Sequence, residues 1–162
     1  MTRERLIDLA RTIIDSNQYM VLGTADRAGH PWVSPVWFAS EDYKHFHWVS
    51  SSEAKHSANV AAARPEVAIP IFDSTVPVGG AQAVYMSGLA EELTGAELER
   101  GIEIFGRLSE ADVGRRWALD DVLPPSLFRL YRATVSEHYV LIPGSHPVLG
   151  TGVDLREPVT PA

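Results

Sequence analysis

Residues 48–60 read Trp-Val-Ser-Ser-Ser-Glu-Ala-Lys-His-Ser-Ala-Asn-Val. An aromatic strand end, Trp48-Val49, runs into Ser50, Ser51 and Ser52, and a helix is expected to follow with Lys55 and His56 in its first turn. Ser50 and Glu53 have the S-x-x-E spacing of a capping box, which predicts Ser50 as the N-cap. The first amides of such a helix lack partners, and the helix dipole favours an anion there. Serine hydroxyls and a lysine ammonium around that end suit a phosphate group. The same residues also fit an ordinary capped surface helix with an exposed lysine. The stretch alone leaves both readings open.

Upstream, residues 3–17 carry Leu6, Leu9, Ala10, Ile13 and Ile14 at helical spacing and predict an amphipathic helix. Strands are expected at 19–24, 32–39 and 45–50, joined as a meander by the turn Asp26-Arg27-Ala28-Gly29 and by the polar residues 40–44. Pro35 points to an edge position or an interrupted ladder. Downstream, the helix that begins near Ser51 is expected to stop at about Ala63, before Arg64-Pro65. A fourth strand is expected at 66–72, with Pro70 again marking an edge or bulge, and then a loop at 73–80. A fifth strand is expected at 82–93, where Gly88 marks a bulge or a close approach. Thr94-x-x-Glu97 predicts a helix to about Leu108, and Ser109-x-x-Asp112 a second short helix to about Leu119. Residues 127–142 alternate as one or two strands, and the tail from Pro143 reads as extended or partly disordered. At least six strands with short links and few crossover helices predict a mainly β fold: an antiparallel sheet closed into a barrel, with flanking helices. At 162 residues the chain is expected to be a single domain.

Composition narrows the chemistry. The absence of cysteine excludes disulfides, cysteine–zinc sites, iron–sulfur clusters and thiol catalysis. The first fifteen residues have no apolar signal-peptide core, and no apolar run approaches membrane-spanning length, so a cytoplasmic protein is expected. A net charge of −7 argues against non-specific nucleic-acid binding and leaves room for a local phosphate pocket. No G-x-S-x-G, H-E-x-x-H, Walker or G-x-G-x-x-G signature is present. His45 and His47 share a strand face, but no third ligand stands at a fixed nearby spacing, and no metal site is expected. Trp32, Trp37, Phe38, Trp48 and Tyr85 fall on expected strands, where aromatics either line a cavity or fill the core.

Three ordered segments carry a resemblance: LGTADRAGHPWVSPVWFA at 22–39, FHWVSSSEAKHSANVAAARPEVAIPIFD at 46–73, and VYMSGLAEEL at 84–93. A glycine turn, a strand with Pro-Val, a serine-to-lysine segment, a helix ending in Arg-Pro and a strand with a late glycine follow in that order. The series resembles the flavin-binding split barrels similar to pyridoxamine 5′-phosphate oxidase, closely over about residues 18–93. The resemblance implies a six-stranded antiparallel split β-barrel and a homodimer with cofactor sites between subunits. It implies that Ser34, Pro35, Val36 and Trp37 pass along the isoalloxazine of FMN, and that Trp48, Val49 and Ser50 flank the ring and ribityl chain. Ser51, Ser52, Lys55 and His56 would hold the phosphate, and Gln82 would reach the cofactor. Residues near Trp117 or Arg129 would come from the partner chain. The implied activity is hydride transfer between FMN and a small substrate. Relatives of this kind also use the deazaflavin F420 or bind haem, so an F420-dependent reductase and a non-catalytic flavin- or haem-binding protein are the other implied functions. The C-terminal arginine–histidine signature of true pyridoxamine phosphate oxidases is absent, so vitamin B6 synthesis is not expected.

Overall fold

A computed structural model describes residues 2–62 and 65–161. Its elements are α1 (Arg3–Asp15), β1 (Tyr19–Ala25), β2 (Pro31–Trp37), β3 (His45–Ser51), α2 (Lys55–Ala61), β4 (Glu66–Phe72), β5 (Ala83–Glu92), α3 (Gly95–Val113), β6 (Phe128–Ile142) and β7 (Leu155–Val159). Every named pairing is antiparallel, in the order β2-β1-β4-β5-β6-β3, with β7 also on β6. This is the expected split barrel, with a seventh strand added.

The three-strand meander is not formed. β1 and β2 make a hairpin, but β3 pairs with β6 along its whole length, from His45↔Thr134 to Ser51↔Phe128. β6 is long enough to serve three strands. β5 takes one of its edges, and β3 and β7 share the other. The end strands β2 and β3 are thereby left facing each other. Just beyond the end of β2, Ala39 forms an isolated bridge to His47 of β3, with main-chain bonds of 2.9 and 2.8 Å. That seam is the split of the barrel.

The ladder also overrides the capping box at Ser50. Ser50 and Ser51 stay in β3, opposite Arg129 and Phe128, and Ser52 N–H donates to Leu127 O at 3.0 Å. A continuous ladder satisfies more main-chain groups than one side-chain cap does. The helix therefore starts later, with Ala54 at the N-cap and no side-chain cap bond. Its expected end at Ala63 and Arg64 lies outside the described residues. The second capping box is also unmade: Thr94 occupies the N-cap position without a cap bond, while Glu97 pairs with Arg100 and Arg132. The two helices expected around Ser109 are one, ending at Gly114 in the left-handed region (φ 71°). Ser109 is fully buried, and its hydroxyl donates to Gly106 O and accepts from Trp117 N–H. The tail, expected to be extended or partly disordered, folds into turns followed by β7.

The main core gathers Leu6, Ala10, Ile13 and Ile14 of α1 against the inward residues of the sheet. Trp48 is fully buried there, stacked on Tyr131 with centroids 5.7 Å apart. A second core packs Leu98, Ile102 and Phe105 of α3 on Leu130 and Leu93, with Trp37 and Trp117 at its edge. Both prolines sit where the ladder tolerates them. Pro35 lies on the end strand β2, and β4, which carries Pro70, meets β1 only at Gly23↔Ala68.

Gly88 lies at a register shift between β5 and β6, and a Cβ there would stand 2.3 Å from Thr134 O. Gly88→Val should lower stability by about 1–3 kcal/mol through this overlap, read from the urea midpoint; an unchanged midpoint would remove the close approach as the reason for glycine. His47 is buried, and burial, followed by the nearby Arg132 charge, lowers its pKa from 6.5 to about 4. The unfolded chain therefore takes up a proton that the folded chain refuses. The stability due to neutral His47 is complete above pH 6.5 and drains away as pH falls toward 4, by on the order of 2–3 kcal/mol. Denaturant midpoints at neutral and mildly acidic pH should converge in His47→Gln relative to the parent.

Candidate functional site

The site is built on the seam between β2 and β3. Ser34 projects from β2 and Ser50 from β3, and the imidazole of His56 spans them. His56 Nδ1 lies 3.2 Å from Ser34 Oγ, and its Nε2 lies 2.8 Å from Ser50 Oγ. Helical periodicity brings the ring here. His56, Asn59 and Val60 stand three and four residues apart on one face of α2, and all three are buried. Asn59 Nδ2 donates to Thr24 Oγ1 at 3.0 Å, which ties the same helix face to β1. Lys55, one position before His56, points outward. Its ammonium sits 4.6 Å from the centre of the Trp32 ring, and Trp32 Nε1–H donates to Ser34 Oγ at 3.0 Å.

A hydrogen-bonded chain thus runs from Trp32 through Ser34 and His56 to Ser50. Burial lowers the His56 pKa, so the imidazole is neutral near pH 7, with one ring nitrogen donating and the other accepting. If Nε2 carries the proton, Ser34 donates to Nδ1 and the Ser50 hydroxyl proton is left free. If Nδ1 carries it, Ser50 donates to Nε2 and the Ser34 proton is left free. Either tautomer leaves one serine proton at the seam to meet an acceptor from outside. Lys55 adds a positive charge beside it, and among the described residues it forms no ion pair with a carboxylate. The arrangement can hold an anionic, oxygen-rich group.

The residues expected to form the site are partly dispersed. Ser34, Ser50, Lys55 and His56 come together, and Ser51 and Ser52 lie just beyond, at the end of β3. His56 was expected to grip phosphate directly. In the structure both its ring nitrogens are within hydrogen-bond distance of serine hydroxyls, those of Ser34 and Ser50. Pro35 is exposed on β2, whereas Val36 is buried in the main core. Trp37 is half-buried, edge-on to Phe105 at 5.1 Å, with its Nε1–H donating to Asp112 at 3.3 Å. The Trp48 side chain was expected beside the ring of the cofactor. It is sealed in the core instead, because the alternation along β3 turns it toward Tyr131. Val49 packs against the α3 core. Gln82 lies in a separate cavity, none of whose lining belongs to the seam. Trp117 packs on Phe105 and Phe128, and Arg129 bonds Ser126 O and pairs with Glu92. Trp32 contacts Ser34 and Lys55, and Asn59 lies on the same helix face as His56; neither was among the expected cofactor residues. The i, i+3 spacing of His56 and Asn59 was the available signal for the second.

His45 and His47 face a pocket of about 280 Å³ that Arg132 also lines. His45 Nδ1 is 2.6 Å from Asp42 Oδ2. Among the described residues, no group of three or more metal-ligating side chains is placed to hold an ion. No helix is long and apolar enough to cross a membrane.

Comparison with known proteins agrees with this architecture. No curated protein sequence matches the chain. Among solved structures, a heme binding protein from Mycobacterium smegmatis superimposes with a TM-score of 0.68 at 21% identity, over 98% of this chain and 60% of that one. The chain therefore spans less than two thirds of that protein's length. HutZ, the heme storage protein of Vibrio cholerae, superimposes with a TM-score of 0.64 at 18% identity, over 84% and 92% of the two chains. A structure described as an F420 reductase gives a TM-score of 0.56 at 17% identity, over 79% and 94%. At these identities the likeness is one of fold. The sequence profile described as Pyridoxamine 5′-phosphate oxidase matches residues 6–137, which spans the barrel from α1 into β6, and the chain belongs to that family.

Proposed function

We propose that the protein is an FMN-dependent oxidoreductase that passes hydride between the flavin and a small substrate, with the β2–β3 seam as its phosphate seat. The observation that carries this reading is the chain Trp32–Ser34–His56–Ser50 with Lys55 beside it. A phosphate monoester offers only acceptors near neutral pH. The seam answers with a free serine proton and an ammonium that has no carboxylate partner among the described residues, so the donor set fits the group. Ser51 and Ser52 extend the row of hydroxyls along the end of β3.

When bound, FMN supplies the hydride chemistry. The chain binds and orients it. Lys55 is held in place by the Trp32 face, a cation–π contact that keeps its charge near the serines. His56 keeps the serines a fixed distance apart across a seam that has almost no ladder of its own. No side chain is assigned as general acid or base. The exposed faces of Trp32, Val33 and Pro35 on β2 are available to a second copy of the chain, in keeping with the homodimer that the family resemblance implies.

The absorbance spectrum of the purified protein separates the flavin reading from its rivals. Flavin bands are expected, whereas a deazaflavin band would replace FMN by F420 and a Soret band would replace it by haem. Titration of the apoprotein gives the affinity. Lys55→Ala should weaken FMN binding by about 1.5–3 kcal/mol, the cost of one charge-assisted hydrogen bond. His56→Ala should also weaken it, while His56→Gln, whose amide can both donate and accept, should recover part of the loss. Equal affinities in all four proteins would remove the phosphate from the seam.

A further inference from the structure

A second cavity, of about 420 Å³, opens between the start of α1, the loop before β5 and the turns that follow β6. Its floor is apolar, formed by Leu9, Leu141, Ile142 and Pro147. Its polar side chains are Arg5, Gln82, Ser145 and His146, and no carboxylate lines it. The Ser145 hydroxyl is spent on Gly79 O at 3.4 Å, which joins the two loops across the opening.

The orientation of the His146 proton follows from its neighbours. The main-chain N–H groups of Val148 and Leu149 both donate to His146 Nδ1, at 3.3 and 3.1 Å. Nδ1 is therefore the acceptor, and the ring proton of the neutral imidazole sits on Nε2. The turn that fixes this is tightly built. His146 N–H donates to Pro143 O at 2.9 Å, and Gly150 N–H to His146 O at 2.8 Å. A Cβ on Gly150 would stand 2.3 Å from Gly144 O, so only glycine closes the turn. The cavity thus presents an imidazole N–H, the Gln82 amide and the guanidinium of Arg5. Among the described residues Arg5 forms no ion pair.

We propose that this cavity is a binding site for an organic carboxylate with an apolar, ring-sized body. The body would rest on Leu9, Leu141 and Ile142, and the carboxylate would take the Arg5 guanidinium and the His146 Nε2–H. The volume is in the range of small-ligand pockets, and an apolar lining with a few polar donors is what such a ligand requires. Gln82 then serves this ligand. The site shares no residue with the seam, so it stands whether or not FMN binds there.

The test uses the full chain with 2-naphthoate as probe and 2-naphthamide as its uncharged counterpart, followed by calorimetry and by methyl NMR. Saturable binding of 2-naphthoate is expected, with shifts at Leu9, Leu141 and Ile142. The amide should bind at least about tenfold more weakly, and Arg5→Gln should weaken the acid by a similar factor, as loss of one charge-assisted contact requires. Arg5 is exposed in the first turn of α1, so this variant keeps the fold, and Gln82→Leu provides a second probe of the rim. No saturable binding, equal affinity for acid and amide, or an acid affinity indifferent to both variants would overturn the assignment.

Discussion

The pairing of β3 with β6 governs the rest of the molecule. It carries β3 away from the β1–β2 hairpin and makes it an end strand, so that the sheet curls with two edges facing. It holds Ser50 extended and postpones α2 until Lys55. Because α2 begins there, its buried face carries His56, Ser57, Asn59 and Val60, and the imidazole falls between Ser34 and Ser50. An unpaired seam between two strand edges would leave main-chain polar groups to water. One main-chain bridge and the His56 contacts to Ser34 and Ser50 join these edges.

Charge is distributed to suit that division of labour. The chain is acidic overall, and among the described residues six arginines, all between positions 100 and 132, pair with carboxylates. Arg132 lies between Glu91 and Glu97, Arg116 between Glu103 and Glu110, and Arg107 reaches Glu41 and Glu103. Pairs this exposed add little stability singly. Their effect is to neutralise the α3 side of the molecule. Lys55 and Arg5 lie elsewhere and are free of such pairing among the described residues. Each stands beside a group of neutral donors, the serines at the seam and Gln82 with His146 at the cavity. A cation without an internal partner is the simplest electrostatic provision for an anion from outside.

Much of the local structure was legible in the residues. The alternation of Val67, Ile69 and Ile71 gave β4 with its observed ends, and Gly88 marked the bulge. Pro35 marked an end strand. What misled was short-range chemistry taken on its own terms. S-x-x-E at Ser50 and S-x-x-D at Ser109 have the spacing of a cap, but in one case the serine is in a ladder and in the other it is buried inside a helix. Leu155–Val159, with two charged residues and a proline, has no strand-like alternation. It becomes β7 because β6 leaves an edge unpaired beyond the reach of β3.

The amino-acid sequence by itself determined the first six strands, the rough places of the helices, and the family, because those depend on periodicity, turn chemistry and the order of motifs. The tertiary structure alone decided which strands meet, which side of β3 Trp48 occupies, and that the His56 ring lies between Ser34 and Ser50. Strand pairing joins residues some eighty positions apart, such as Trp48 and Tyr131. No local pattern encodes the choice among partners, because every strand edge offers the same main-chain donors and acceptors. Only the packing of the whole barrel distinguishes them.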